Sequence, residues 1–167
     1  FSSVLSRGAP VFLRDLLADD PEALLGRAHV QAHGGSLGFL AKLLDSSIRL
    51  HIQVHPTIPF SRAHLGADAG KTEAYVILAC RDDVTEPAFH LGFRTLPEPG
   101  RLRQMVEAQQ VDDLLRLMHR VPVSPGDAFL VPGGVPHAIG EGVLMIEIME
   151  PTDFVARFEF ERGGYTL

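Results

Sequence analysis

The chain is expected to fold as a mainly β protein, an antiparallel barrel or jelly roll with a few short helices inserted. Three observations predict this. Short apolar runs of strand length recur from residue 39 to residue 160. Turns containing Gly and Pro separate them, notably Pro125-Gly126-Asp127 and Pro132-Gly133-Gly134. Helical periodicity is confined to a stretch near the N-terminus and to Pro99–Arg120.

The elements follow in order. Phe1–Pro10 reads as a loose lead-in. Asp15–Gly26 carries helix signals: Asp20 to cap, Pro21 for the first turn, Gly26 to stop. Ala28–Gly38, with three Gly, reads as a loop in which His29 and His33 are solvated. Phe39–Asp45 is apolar except for Lys42, whose side chain either snorkels or reaches a site. Ile48–His55 alternates as a strand should. Ile48, Leu50, Ile52 and Val54 lie on one face, and Arg49, His51, Gln53 and His55 on the other. A row of four polar side chains is costly to bury unless it lines a wet pocket or binds something. Thr57–Ala69 reads as a loop and Lys71–Cys80 as a strand. Ala88–Arg94, Ala128–Val131 and Val143–Ile148 are further strands, the last with Glu147 inside it, and Phe154–Phe160 alternates again. Within the helical stretch, Leu102, Met105 and Val106 form one core-facing stripe, and Leu114, Leu115, Leu117 and Met118 another.

Composition narrows the function. The chain has 167 residues, 46% of them hydrophobic and 22% charged, which suits one globular domain with a real core. A net charge of −6 without a basic run argues against a nucleic-acid surface. Any anionic small molecule would need a local cluster of Lys and Arg. No apolar run approaches membrane-span length, so no membrane is expected as a partner. The single cysteine, Cys80, rules out an intrachain disulfide and reads as a buried thiol; a cytoplasmic location fits. No signal peptide is recognisable in the sequence, and since the first residue is Phe1 rather than Met the chain is expected to be part of a longer protein.

Three segments carry the chemistry. If residues 48–55 form a strand, Gln53 and His55 project together. Glu73 opens an apolar run and offers a carboxylate. His137, after the second turn, offers another imidazole. Two nitrogen and two oxygen donors suit zinc, and iron or manganese also fit. Singly, each residue has a plain structural reading, a hydrogen-bonded core His or a solvated Glu. Together, in these contexts, a metal site is the better reading.

Pro125-Gly126-Asp127, followed by Pro132, Gly134 and His137, resembles the second cupin motif. Ile52-Gln53-Val54-His55-Pro56 and Gly70-Lys71-Thr72-Glu73 are similar to the signature segments of type I mannose-6-phosphate isomerases, zinc enzymes of the cupin superfamily. Phe39–Asp45, Pro136–Gly140, and Glu147 with Arg157 after it fit the same family. The resemblance runs from about Gly38 to Gly164. It implies a cupin jelly roll over residues 38–167, with residues 1–37 as a lead-in carrying a short helix. It implies one zinc per chain on Gln53, His55, Glu73 and His137. It implies interconversion of mannose 6-phosphate and fructose 6-phosphate through an enediol(ate). Lys71, Arg157 and Lys42 match active-site positions that would bind the sugar phosphate, with Glu147, Lys71 and Arg157 as the catalytic candidates. His51 stands where the family often carries a small hydroxyl residue, and would face the substrate. Two other readings stay open: a metal-binding cupin that holds a sugar phosphate without turning it over, and an Fe(II) cupin oxygenase. Gln53, standing where many cupins place a first His, favours the isomerase.

Overall fold

The computed structural model describes residues 3–4, 10–162 and 165–166. They fall into two units, Phe1–Gly38 and Phe39–Leu167. In the first unit, β1 (Ser3–Val4) pairs with β2 (Val11–Phe12), so the expected lead-in is partly a strand pair; 1–2 and 5–9 lie outside the described residues. Asp20 caps as expected, its Oδ1 accepting from the Ala23 N–H at 3.0 Å. The cap splits the expected helix into α1 (Leu13–Asp19) and α2 (Pro21–Leu25), and Gly26 follows α2. The loop expected over Ala28–Gly38 is instead opened by α3 (Arg27–His33). The three glycines all follow this helix and do not interrupt it. His29 and His33 therefore share a helix face, with ring centroids 5.0 Å apart; His33 is exposed and His29 half-buried.

The second unit runs β3 (Leu40–Ser46), β4 (Gln53–Val54), α4 (Ile58–His64), β5 (Glu73–Cys80), β6 (Ala88–Phe93), α5 (Pro99–Glu107), α6 (Val111–Leu117), β7 (Met118–Pro122), β8 (Ala128–Val131), β9 (His137–Ile139), β10 (Val143–Met149), β11 (Ala156–Arg157), β12 (Glu161–Arg162) and β13 (Tyr165–Thr166). Two larger sheets make the jelly roll. One has the order β3-β10-β5-β8 and the other β11-β4-β9-β6-β7, with all pairings antiparallel. Tyr75, Ile77, Val131 and Met145 from the first sheet meet Phe89 and Ile139 from the second in one core. A second core joins Ile52 and Ala138 to Met105 and Leu114 of α5 and α6, as the helical stripes predict.

Several expected boundaries move. Thr57–Ala69 is not all loop: the Thr57 hydroxyl accepts from the Phe60 N–H at 3.2 Å and Pro59 sits in the first turn of α4. Pro59 thus starts a helix here. The helix expected to reach Arg120 ends at Leu117, because Met118 opens β7 against β6. The strand expected over Ile48–His55 shrinks to Gln53–Val54. Leu50 packs into the barrel core and Ile52 into the helix-side core, so the apolar residues of this run do not share a face. Of Phe154–Phe160, Ala156–Arg157 is strand. Cys80 is half-buried rather than buried, 3.9 Å from the Val123 carbonyl. Among the described residues no helix is long and apolar enough to cross a membrane.

Candidate metal centre

Close backbone packing gathers the three segments. The Lys71 N–H donates to the Pro56 carbonyl at 3.0 Å, and the Gly134 N–H to the His55 carbonyl at 2.7 Å. A side chain could not fit at either glycine beside this carbonyl. A Cβ on Gly70 would lie 2.7 Å from the Pro56 oxygen, and one on Gly133 would overlap it. The Gly residues flanking Lys71–Glu73 and His137 thus let both segments lie against His55-Pro56. Gln53 on β4 stands directly opposite His137 on β9, which gives the two side chains one face.

His55, Glu73 and His137 are each at most 3% exposed. Their ligand atoms all lie within 4.8 Å of one another. His55 Nε2 is 3.2 Å from Glu73 Oε1, and His137 Nε2 is 3.2 Å from Glu73 Oε2. The far side of each ring settles the tautomer. His55 Nδ1 is 2.8 Å from the Phe154 carbonyl and His137 Nδ1 is 3.0 Å from the Val135 carbonyl. A carbonyl only accepts, so each Nδ1 carries the proton and each Nε2 presents a bare lone pair to the carboxylate. Lone pairs facing carboxylate oxygens repel unless a cation stands between them. His55 Nε2 is buried without a hydrogen-bond partner. Gln53 completes the set: its amide lies 3.3 Å from His137 Nε2, and turning the amide over presents Oε1 at the same point. This donor set fits zinc.

The Tyr75 hydroxyl donates to Glu73 Oε2 at 2.5 Å. Lys71 Nζ is 3.7 Å from Glu73 Oε1, with the Lys71 residue 8% exposed. Thr72 anchors the start of β5, its N–H donating to Glu150 at 2.8 Å.

The other expected site residues take three places. Lys42 and Glu147 face each other across β3 and β10, Nζ to Oε2 3.1 Å, on the inner face of their sheet. Arg157 stands opposite Gln53 on β11, with its side chain exposed. His51 acts electrostatically on Glu159, a carboxylate clamped by Arg49 at 2.7 and 2.8 Å. The expected polar row of Arg49, His51, Gln53 and His55 is therefore broken, because Arg49 turns to Glu159. An apolar cavity of about 320 Å³, lined by Val54, Phe60, Leu65, Phe154 and Val155, shares His55 with the cluster. Lys71, Glu73 and His137 do not line it, so its walls do not suit a charged ligand. Sequence reasoning missed Tyr75 and the Arg49–Glu159 pair. The first was signalled by its spacing of two from Glu73; the second, between distant segments, had no local signal.

No protein-family model matches the chain. It is 37% identical over 133 residues to mannose-6-phosphate isomerase ManA of Bacillus subtilis, covering 79% of this chain and 40% of that protein. It is 36% identical over 124 residues to mannose-6-phosphate isomerase of Streptococcus mutans, covering 74% of this chain and 37% of that protein. The chain belongs to the mannose-6-phosphate isomerase family. It spans about 40% of the length of these curated relatives. Solved structures agree on the fold. The mannose 6-phosphate isomerase from B. subtilis superposes with a TM-score of 0.74 at 24% identity, over 98% of this chain and 49% of that one. A zinc-bound mannose 6-phosphate isomerase superposes with a TM-score of 0.67 at 21% identity, over 93% of this chain and 58% of that one.

Proposed function

We propose that this chain carries the metal centre and sugar-phosphate site of a mannose-6-phosphate isomerase. The observation that carries the reading is the buried convergence of two Nε2 lone pairs on the Glu73 carboxylate, 3.2 Å each. A cation held between them turns the repulsion of these lone pairs and the carboxylate into attraction. Gln53, His55, Glu73 and His137 would hold one zinc. When bound, zinc supplies a Lewis acid that makes the C–H beside a sugar carbonyl more acidic.

The remaining steps belong to side chains. Isomerisation between mannose 6-phosphate and fructose 6-phosphate moves a proton between C2 and C1 through an enediol(ate). Lys71, beside Glu73, and Arg157, in the row of Gln53, are the cations assigned to the phosphate and to the developing negative charge. Glu147, with Lys42 Nζ 3.1 Å away, is the carboxylate assigned to accept and return the proton. His51 is assigned to the substrate side at one remove, through its neighbours. A cytoplasmic location accompanies the reading, supported by the lone cysteine.

The test is to load the protein with zinc, confirm near-stoichiometric metal, and assay the interconversion. Turnover abolished by a chelator and restored by zinc is expected. Full zinc occupancy without turnover would sink the isomerase reading. Oxygen uptake with Fe(II) would favour the oxygenase.

A further inference from the structure

Tyr75 lies two residues beyond Glu73 on β5, so both side chains point inward. It is 1% exposed and packs edge-on against Phe89, ring centroids 5.6 Å apart at 81°. Its hydroxyl sits between two carboxylates. It donates to Glu73 Oε2 at 2.5 Å, while Glu147 stands directly opposite on β10 and bears on the same hydroxyl. A tyrosine has one proton to give. Glu73 receives it, and Glu147 has Lys42 Nζ at 3.1 Å instead.

The terminal torsion of a glutamate is soft, so the plane of its carboxylate is set by its hydrogen bonds. The two imidazoles cannot set it, because their Nδ1–H groups face the Phe154 and Val135 carbonyls. Lys71 Nζ, at 3.7 Å, is too far to direct it. Resting on the metal reading above, we propose that Tyr75 is a positioning residue for the metal, its hydroxyl locking the Glu73 carboxylate in the plane that meets His55 and His137. Lys42 supports this by pairing its charge with Glu147, while the tyrosine proton goes to Glu73.

Tyr75→Phe tests it, since the substitution removes one oxygen and keeps the ring packed on Phe89. Zinc affinity is measured by competition with a chelator, and the site geometry by the visible absorption of the protein with Co2+ in place of zinc. The variant is expected to bind zinc ten- to a hundredfold more weakly, as loss of a ligand-orienting hydrogen bond does. Its cobalt bands should shift, while the metal-free protein melts as the wild type does. Equal zinc affinity with an unchanged cobalt spectrum would overturn the role of Tyr75 alone. A wild-type protein that takes up neither zinc nor cobalt would overturn the metal reading and this inference with it.

Discussion

The two faces of the four-stranded sheet invert the usual amphipathic strand. Its inner face carries Lys42, Glu147, Tyr75 and Glu73 beside Ile77 and Met145. Its outer face is aliphatic: one row reads Ala41, Ile148, Ala74 and Leu130, the next Leu43, Ile146, Val76 and Ala128. Leu43 and Leu130 are 67% and 70% exposed, whereas Glu73 is 1% exposed. A half-buried antiparallel strand normally turns its polar side chains to water. Here the charges are inside, and burial of a charge is costly unless it is paired. Lys42 offsets Glu147, and Lys71 with a bound cation offsets Glu73. The contrast teaches that polar residues at alternate positions of an apolar strand mark a site rather than a solvent face when each has a partner of opposite charge.

The strongest challenge to this contrast comes from the inner charges. Glu73→Ala should lower zinc affinity by at least about a hundredfold, since it removes a ligand rather than a ligand's support. Equilibrium dialysis against zinc checks this, and a variant that retains stoichiometric zinc would break the assignment. Arg157→Ala should keep zinc and lose turnover by roughly a hundredfold, the size expected for removing one group that stabilises transition-state charge. Unaltered kcat and KM would remove Arg157 from the site.

Packing separates the two faces next. Ile77→Ala, on the inner face at 1% exposure, should cost about 3 kcal/mol in chemical denaturation. A carboxylate remote from the metal sharpens the comparison. Burial raises the Glu159 carboxyl, but the Arg49 guanidinium and the Ile52 N–H outweigh it and bring it below its ordinary 4.5. A group whose pKa is lower folded than unfolded stabilises fully above the unfolded value and loses that contribution as pH falls through the folded one. Stability should therefore decline below about pH 4.5 less steeply in Glu159→Gln than in wild type, with zinc affinity at neutral pH equal in the two. Denaturation at several pH values reads the first outcome and metal titration the second. The smallest effect belongs to the outer face: Leu43→Lys should change stability by no more than about 0.5 kcal/mol and leave zinc binding alone.

Much of this site was legible in the sequence. Gln53-Val54-His55-Pro56, Lys71-Thr72-Glu73 and Pro136-His137 supply the proposed ligands, and the Gly-Pro turns around them mark where the backbone bends. Alternation located β5, β6, β8 and β10 nearly to the residue, because each draws on a continuous run. The helix at Ile58–His64 was legible too, in Thr57 and Pro59, but those residues signal a turn equally well, and the choice depended on what followed.

The candidate ligands and their spacing, the β class and the two helical stripes follow from the sequence alone, since they rest on local periodicity and on motifs a few residues long. Only the tertiary structure decided that Ile48–His55 would break as a strand. Arg49 finds Glu159 and Leu50 finds a different core from Ile52, and partners so distant in the chain leave no local trace. It decided also that Tyr75 gives its one proton to Glu73 and leaves Glu147 to Lys42. The hydroxyl faces both carboxylates, and which bond forms depends on three strands meeting in register, a relation that no single stretch of sequence contains.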